Sequence, residues 1–266
     1  MNVFLRELRA YRRSTIIWAV SLSALIVIFM SLYPAFTRDV AATKLLLGQL
    51  PVAVRNAFNI SLADFFTIYG FYGYLLSFAI LAGAIQAMNV GTGVIAKEVS
   101  GKTADFLLSK PIRRTRVVSA KLAAALVVIV FTNIVFSTVS YVAALIVSEA
   151  PFAAGTFLLM SLTLFLVQLV FLALGALFAV SIPKIKSVVS VTLPAVFGFY
   201  IVGMIGDVLE NDKFRYITPF KFYDPIYIIQ HASLESRYVI IEAVFIAVAI
   251  AASYVIFVKK DVRAPA

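Results

Sequence analysis

The sequence predicts an all-α integral membrane protein with six transmembrane helices, and three observations carry that prediction. Apolar residues make up 62% of the 266 residues and charged residues only 14%, with a mean hydropathy of +1.01. A soluble domain of this length is nearer half apolar and a quarter charged, so too few polar side chains are present here to cover a water-facing surface. The apolar residues fall in runs long enough for a bilayer core about 30 Å thick, which takes about 20 helical residues to cross. The charged residues lie in short clusters between those runs.

Six runs meet the length: residues 15–36, 66–90, 121–147, 156–182, 188–209 and 237–258. Ahead of the first, residues 1–14 form an amphipathic helix. Phe4, Leu8 and Tyr11 share one face while Arg6, Arg9 and Arg13 share the other, the pattern of a helix lying in the membrane interface. The first run is too long for the apolar part of a cleavable signal and has no clear small-residue cleavage site. Segments 37–65 and 210–236 are long and moderately apolar, with aromatics such as Phe58, Phe214, Tyr216, Phe220, Phe222 and Tyr223. They are expected to lie on the bilayer or dip into it. The 148–155 and 183–187 connections are short, so the helices they join are expected to be antiparallel neighbours. Residues 91–120 form the remaining long connection.

Orientation follows from lysine and arginine, which are retained on the cytoplasmic side. With the N-terminus inside, 16 of the 23 basic residues fall in internal segments. The acids Asp39, Asp64, Glu149, Asp207, Glu210, Asp212, Asp224 and Glu235 fall outside. Both termini are therefore expected to be cytoplasmic, with 91–120 internal and 37–65 and 210–236 external. The net charge of +10 reads as attraction to an anionic leaflet and not to nucleic acid. Cysteine is absent and His231 is the single histidine, so no thiolate or multi-histidine metal site is expected, and His231 reads as an exposed loop residue.

The stretch AKEVSGKTADFLLSKPIRR, residues 96–114, is unlike the rest. Gly101, Lys102 and Thr103 match the end of a phosphate-binding loop, but Ala96 stands where that loop has its first glycine, and Glu98 would set a negative charge near the phosphates. A nucleotide-binding domain also needs on the order of 100 residues of scaffold. The stretch reads better as a two-turn amphipathic helix. Thr103 is its N-cap, Asp105 lies in the first turn and Pro111 ends it. Ala104, Leu107 and Leu108 share one face and Phe106 points the other way, suited to fill a partner's pocket.

At these residues the sequence resembles the membrane subunits of type-2 ABC exporters. The signature is Glu98, Ser100, Gly101, Thr103, Leu107, Leu108, Ser109, Pro111 and Arg113, with Lys102 inserted where the family runs glycine straight into threonine. The N-terminal amphipathic helix, the six spans, and the long external loop before the sixth extend the resemblance over the whole chain. It implies that residues 103–110 are a cytoplasmic coupling helix between the second and third spans. With Glu98, Gly101, Arg113 and Arg114, that helix would dock on a separate ABC ATPase subunit, present in two copies. The partner would hold ATP and magnesium, and this chain would bind no cofactor itself. The resemblance further implies a second permease subunit, identical or homologous, and export across a cell membrane, the lack of cysteine fitting a prokaryotic plasma membrane.

Polar groups inside the spans are functional candidates because hydrocarbon makes them costly. Gln86 and Asn89 lie near the inner end of the second span, Asn133 early in the third and Gln168 midway along the fourth. They are expected to line a path or to join helices by hydrogen bonds. Glu242, inside the outer end of the sixth span, is expected to pair with a loop lysine or to meet a cationic substrate. Gly70 and Gly73 offer a small-residue face for contact between two subunits. Pro194, Gly198, Gly203 and Gly206 predict a kinked or flexible fifth span. A membrane-embedded enzyme would need paired acids or a histidine cluster inside the spans, and the sequence has neither. Two alternatives share the same architecture: an ion-driven secondary transporter, which usually shows paired repeats and midplane charges, and a non-transporting membrane partner of an ATPase complex. The apolar spans favour an amphiphilic or lipid-like cargo.

Overall fold

The computed structural model describes residues 3–57, 60–100, 114–182 and 185–259, and these are mostly helical, with no strand among them. α1 (Val3–Met30) is followed by three short helices, α2 (Tyr33–Arg38), α3 (Val40–Gly48) and α4 (Val52–Ala57). Then come α5 (Ile68–Ser100), α6 (Arg114–Val147), α7 (Ala154–Ser181) and α8 (Val188–Val208). Two 3-10 turns, Asp212–Tyr216 and Pro219–Lys221, lead to the short α9 (Pro225–His231) and the last helix, α10 (Ser236–Lys259). Six of these helices are long and apolar enough to cross a membrane. A helix pairs its backbone amides internally, as hydrocarbon requires of any spanning segment.

α5 and α7 form the most extensive helix pair, with α1 against α6 on one flank and α8 and α10 on the other. Along α7 the buried set includes Phe157, Met160, Leu164, Phe171, Ala176 and Ala179, so α7 is the axis of the core. α8 and α10 are the most exposed spans. They present Ile201, Ile205, Ile240, Val244 and Val248 outward, which is costly in water and neutral against lipid tails.

The termini of the helices depart from the sequence expectation in physically readable ways. α1 runs unbroken from Val3 to Met30, so residues 3–14 are continuous with the first span. The helix itself ends at Met30, while the candidate span continues through α2 to Arg38. The division of faces stands: Arg6, Arg9 and Arg13 are exposed, and Phe4, Leu8 and Tyr11 are half-buried on the inward face. That face packs on protein, Tyr11 lying over Gly93. α5 extends ten residues past the predicted end at residue 90, and α6 begins seven residues before residue 121. At 1.5 Å per residue these extensions are about 15 and 10 Å long. Much of the 91–120 connection is thus continuous helix, with residues 101–113 outside the described residues.

At the opposite end the long connections fold back onto the bundle instead of lying only on the bilayer. Phe65, Phe222, Tyr223 and Ile228 are buried in the core. Asp39 caps α3 by accepting from the Ala42 amide (2.9 Å), and Asp224 caps α9 by accepting from the Ile226 amide (2.9 Å), which supplies partners that helix starts otherwise lack. α3 keeps an apolar face open, with Leu45 and Leu46 exposed. Ala232 closes α9 in the left-handed conformation at φ 48°.

Candidate functional site

Three polar constructions lie along the bundle axis, one at each end and one in the middle. The middle one joins three of the four amides singled out in the sequence. The Gln168 amide nitrogen of α7 donates to the Gly83 carbonyl (3.1 Å) and to Oε1 of Gln86 (3.1 Å) on α5. Its own Oε1 accepts from Nδ2 of Asn133 on α6 (2.5 Å), which also donates to the Ile129 carbonyl (2.9 Å). Gln86 Nε2 donates to the Thr132 hydroxyl (2.9 Å), which in turn donates to the Val128 carbonyl (3.0 Å). Gln86 and Gln168 are fully buried. These amides therefore join α5, α6 and α7. Asn89, one turn further along α5, stands outside the cluster, and its Oδ1 has no partner among the described residues.

The second construction lies at the end where α1 starts and α10 finishes, and the sequence reading missed it. Lys121 Nζ, fully buried on α6, is 2.9 Å from Glu7 Oε1 on α1 and donates to the Val94 carbonyl of α5 at 2.7 Å. Glu7 is itself buried, with Arg6 at 3.7 Å as a weaker neighbour. A buried pair persists only when each charge has a partner, because desolvating either alone is costly. The signal was present: Phe4, Glu7, Leu8 and Tyr11 share one helical face, and Glu7 is the one acid on it. Nearby, the Ser119 and Tyr254 hydroxyls are 2.8 Å apart, bringing the start of α6 to the end of α10.

The third construction is a cavity of about 590 Å³ at the other end, between α5, α7, α8 and the folded connections. Its apolar wall includes Phe65, Tyr74, Ile80, Met160, Tyr200 and Phe220. Its mouth is charged, with Arg55, Glu210 and Asp212 among the lining residues. Lys221 pairs with Asp207 at 2.5 Å, and Arg215 pairs with Glu235.

Glu242 is buried on α10, and its partner is the Tyr223 hydroxyl, which donates to it. This corrects the expectation of a loop lysine: a neutral donor meets the carboxylate away from water. Burial first, and then the adjoining carboxylate, raise the Tyr223 phenol above its ordinary pKa. His231 is exposed and stacks on Tyr227.

The expectation that Gly70 and Gly73 form a contact between subunits is also corrected. A Cβ on Gly70 would lie 2.0 Å from the Asp64 carbonyl oxygen, and one on Gly73 would lie 3.2 Å from Met160 and 3.3 Å from Pro225. Both glycines serve packing within the chain. Pro194 lies inside α8, and Gly203 and Gly206 face Thr218 and Phe214 of the following connection.

Of the residues expected to dock on a partner, Gly101, Thr103, Asp105, Phe106, Leu107, Leu108, Ser109, Pro111 and Arg113 lie outside the described residues. Glu98 falls in the last turns of α5 and Arg114 starts α6. Among the described residues no group of histidine, cysteine or carboxylate side chains is placed to hold a metal.

Six apolar helices around a polar seam, with α1 tied to α6 by a buried ion pair, make a multi-pass membrane domain. The family model described as "ABC-2 family transporter protein" matches residues 1–262, and the chain belongs to that family. It is a permease of the ABC transporter class. No curated protein matches the chain.

Proposed function

We propose that the chain is the membrane subunit of an ATP-driven exporter, working with two copies of a separate ATPase and with a second permease, identical or related, in a prokaryotic plasma membrane. The family match over residues 1–262 carries the reading, since permeases of this family generally pair with ABC ATPase subunits. Two features support it. α5 and α6 reach past their apolar segments at the end where lysine and arginine concentrate, the side that the basic residues assign to the cytoplasm. Between them lie residues 101–113, with the Thr103-to-Pro111 amphipathic pattern and Phe106 on its far face.

In this reading, ATP and magnesium act in the partner, and this chain converts the partner's movement into movement of its helices. The ion pair between Lys121 and Glu7 stands at the base of both extensions, so a push on the 101–113 segment is felt by α1, α5 and α6 together. Glu98, Asp105 and Arg113 would orient the docking segment, and Phe106 would fill the partner's pocket. The span interiors are joined by neutral amides, an arrangement suited to helices that move as packed units.

The test is isolation of the tagged chain in mild detergent, identification of what accompanies it, and an ATPase assay. A stoichiometric partner with a complete phosphate-binding loop and measurable hydrolysis is the expected result. A lone six-span protein without hydrolysis would overturn the reading.

A further inference from the structure

We propose that the cavity between α5, α7 and α8 is a binding site for a lipophilic organic cation, held with its apolar body along the helices and its charge toward the mouth. The depth of the cavity suits an amphiphile. Its lining on α5 runs from Gly70 to Ile80, about 15 Å of helix, or half the thickness of the hydrocarbon core. Its volume of about 590 Å³ lies inside the range of roughly 300–1,000 Å³ occupied by small-molecule sites. The wall is apolar and aromatic where it lies between the spans, and the charges gather where it opens.

The sign of the ligand follows from the charges that the chain leaves uncompensated. The lining acids are Asp64, Asp207, Glu210, Asp212 and Asp224, and the lining cations are Arg55, Arg215 and Lys221. Lys221 is taken up by Asp207, and Arg215 by Glu235, which is not part of the lining. Asp64 accepts from the Ser61 hydroxyl, Glu210 from the Asn56 amide, and Asp224 from the Ile226 amide. Those partners are neutral, so they orient the carboxylates without cancelling their charge. Arg55 then stands against Asp64, Glu210, Asp212 and Asp224. Tyr74, Tyr200, Phe220 and Tyr223 add aromatic rings to the wall, and ring faces attract cations. An ammonium or phosphonium on an apolar body fits this lining, and an anion of the same shape does not. That the bound cation is the transported molecule rests on the exporter reading; the binding itself does not.

Tetraphenylphosphonium and tetraphenylborate, alike in shape and opposite in charge, test this on the full chain in dodecyl maltoside by equilibrium dialysis, with empty micelles subtracted. Saturable binding of the phosphonium at one site per chain, at least tenfold tighter than the borate, is expected. Glu210 and Asp212 are exposed at the mouth. Glu210→Gln and Asp212→Asn should each weaken the phosphonium about threefold, the effect of one charge roughly 7 Å away in water, and should not weaken the borate. Ser77→Trp fills the cavity and should abolish saturable binding of the phosphonium. Added phosphatidylethanolamine will displace the phosphonium if a lipid ammonium is the natural occupant and leave it in place if a free cation is; both results keep the cationic site. Equal affinity for the two ions, or phosphonium binding unchanged in a folded Ser77→Trp chain and in Glu210→Gln, would overturn the proposal. Because no ATPase is present, such a failure leaves the exporter reading standing, and a failed ATPase isolation leaves the binding result standing.

Discussion

Gly91 sits at a close approach of α5 and α7 in the core, and replacing it with alanine gives a sharp test of how the bundle is held. A Cβ at Gly91 would lie 2.3 Å from the Leu172 carbonyl oxygen and 3.0 Å from its carbonyl carbon, whereas ordinary contact begins near 3.4 Å. The atoms that the Cβ would meet are backbone, so no side chain can turn aside, and α5 and α7 must separate by about 1.1 Å. A gap of 0.5–1 Å already forfeits roughly a quarter to a half of the dispersion attraction across it. Overpacking of a core costs typically about 1–3 kcal/mol, and the rigid contact places Gly91→Ala near about 3 kcal/mol. Gly175 meets the same seam from α7, with a Cβ 2.6 Å from the Met88 carbonyl oxygen. Gly175→Ala should therefore cost a similar amount, and the double variant less than the two together, because one separation relieves both clashes. Gly198, with nothing within 4 Å, is the control. There alanine should stabilise the helix by roughly 0.5–1 kcal/mol. Unfolding in mixed dodecyl sulfate and dodecyl maltoside micelles, followed by circular dichroism, reads all four variants. Gly91→Ala within about 0.5 kcal/mol of wild type, a value typical of surface changes, would refute the packing argument.

Lys121→Met strands a buried Glu7 and should cost about 3–5 kcal/mol in the same unfolding assay; Glu7→Gln/Lys121→Met should recover most of that loss, and equal losses in the single and double variants would remove the ion pair from the account. Gln168→Leu breaks three interhelical hydrogen bonds, at about 0.6 kcal/mol each in a membrane, so a loss of about 2 kcal/mol is expected. Glu242→Leu leaves the buried Tyr223 hydroxyl without its acceptor and should cost about 1–3 kcal/mol. Glu242→Gln keeps an acceptor and should cost less than half of that, a difference the micelle assay resolves.

The spans were legible because their apolar runs are governed by one physical requirement, the thickness of the bilayer core. Their ends were less so. α5 and α6 continue beyond the apolar runs because helix hydrogen bonding does not stop where hydrophobicity does, and α1 absorbs the N-terminal amphipathic turn for the same reason. The amides Gln86, Asn133 and Gln168 were visible one at a time as costly polar groups, but their meeting depends on the rotation of three helices, which no local pattern encodes. Lys121 was counted as one more cytoplasmic cation, since a sequence count cannot tell a buried lysine from an exposed one. Glu7 carried a readable sign, an acid on the inward face of a basic helix. The cavity draws its lining from three spans and two connections, so it became visible only when the connections folded back on the bundle. For Gly70 and Gly73, small-residue spacing marked a close approach without saying which partner approaches.

The most direct test of the central claim uses the absence of cysteine from the chain. A single cysteine at position 106, made by Phe106→Cys and labelled with a benzophenone maleimide, is illuminated in native membranes. The account predicts an adduct with an ATPase subunit, and none from a Leu45→Cys control on the exposed face of α3 at the other end of the bundle. Adducts with lipid alone at position 106, or equal capture of the ATPase from position 45, would contradict it.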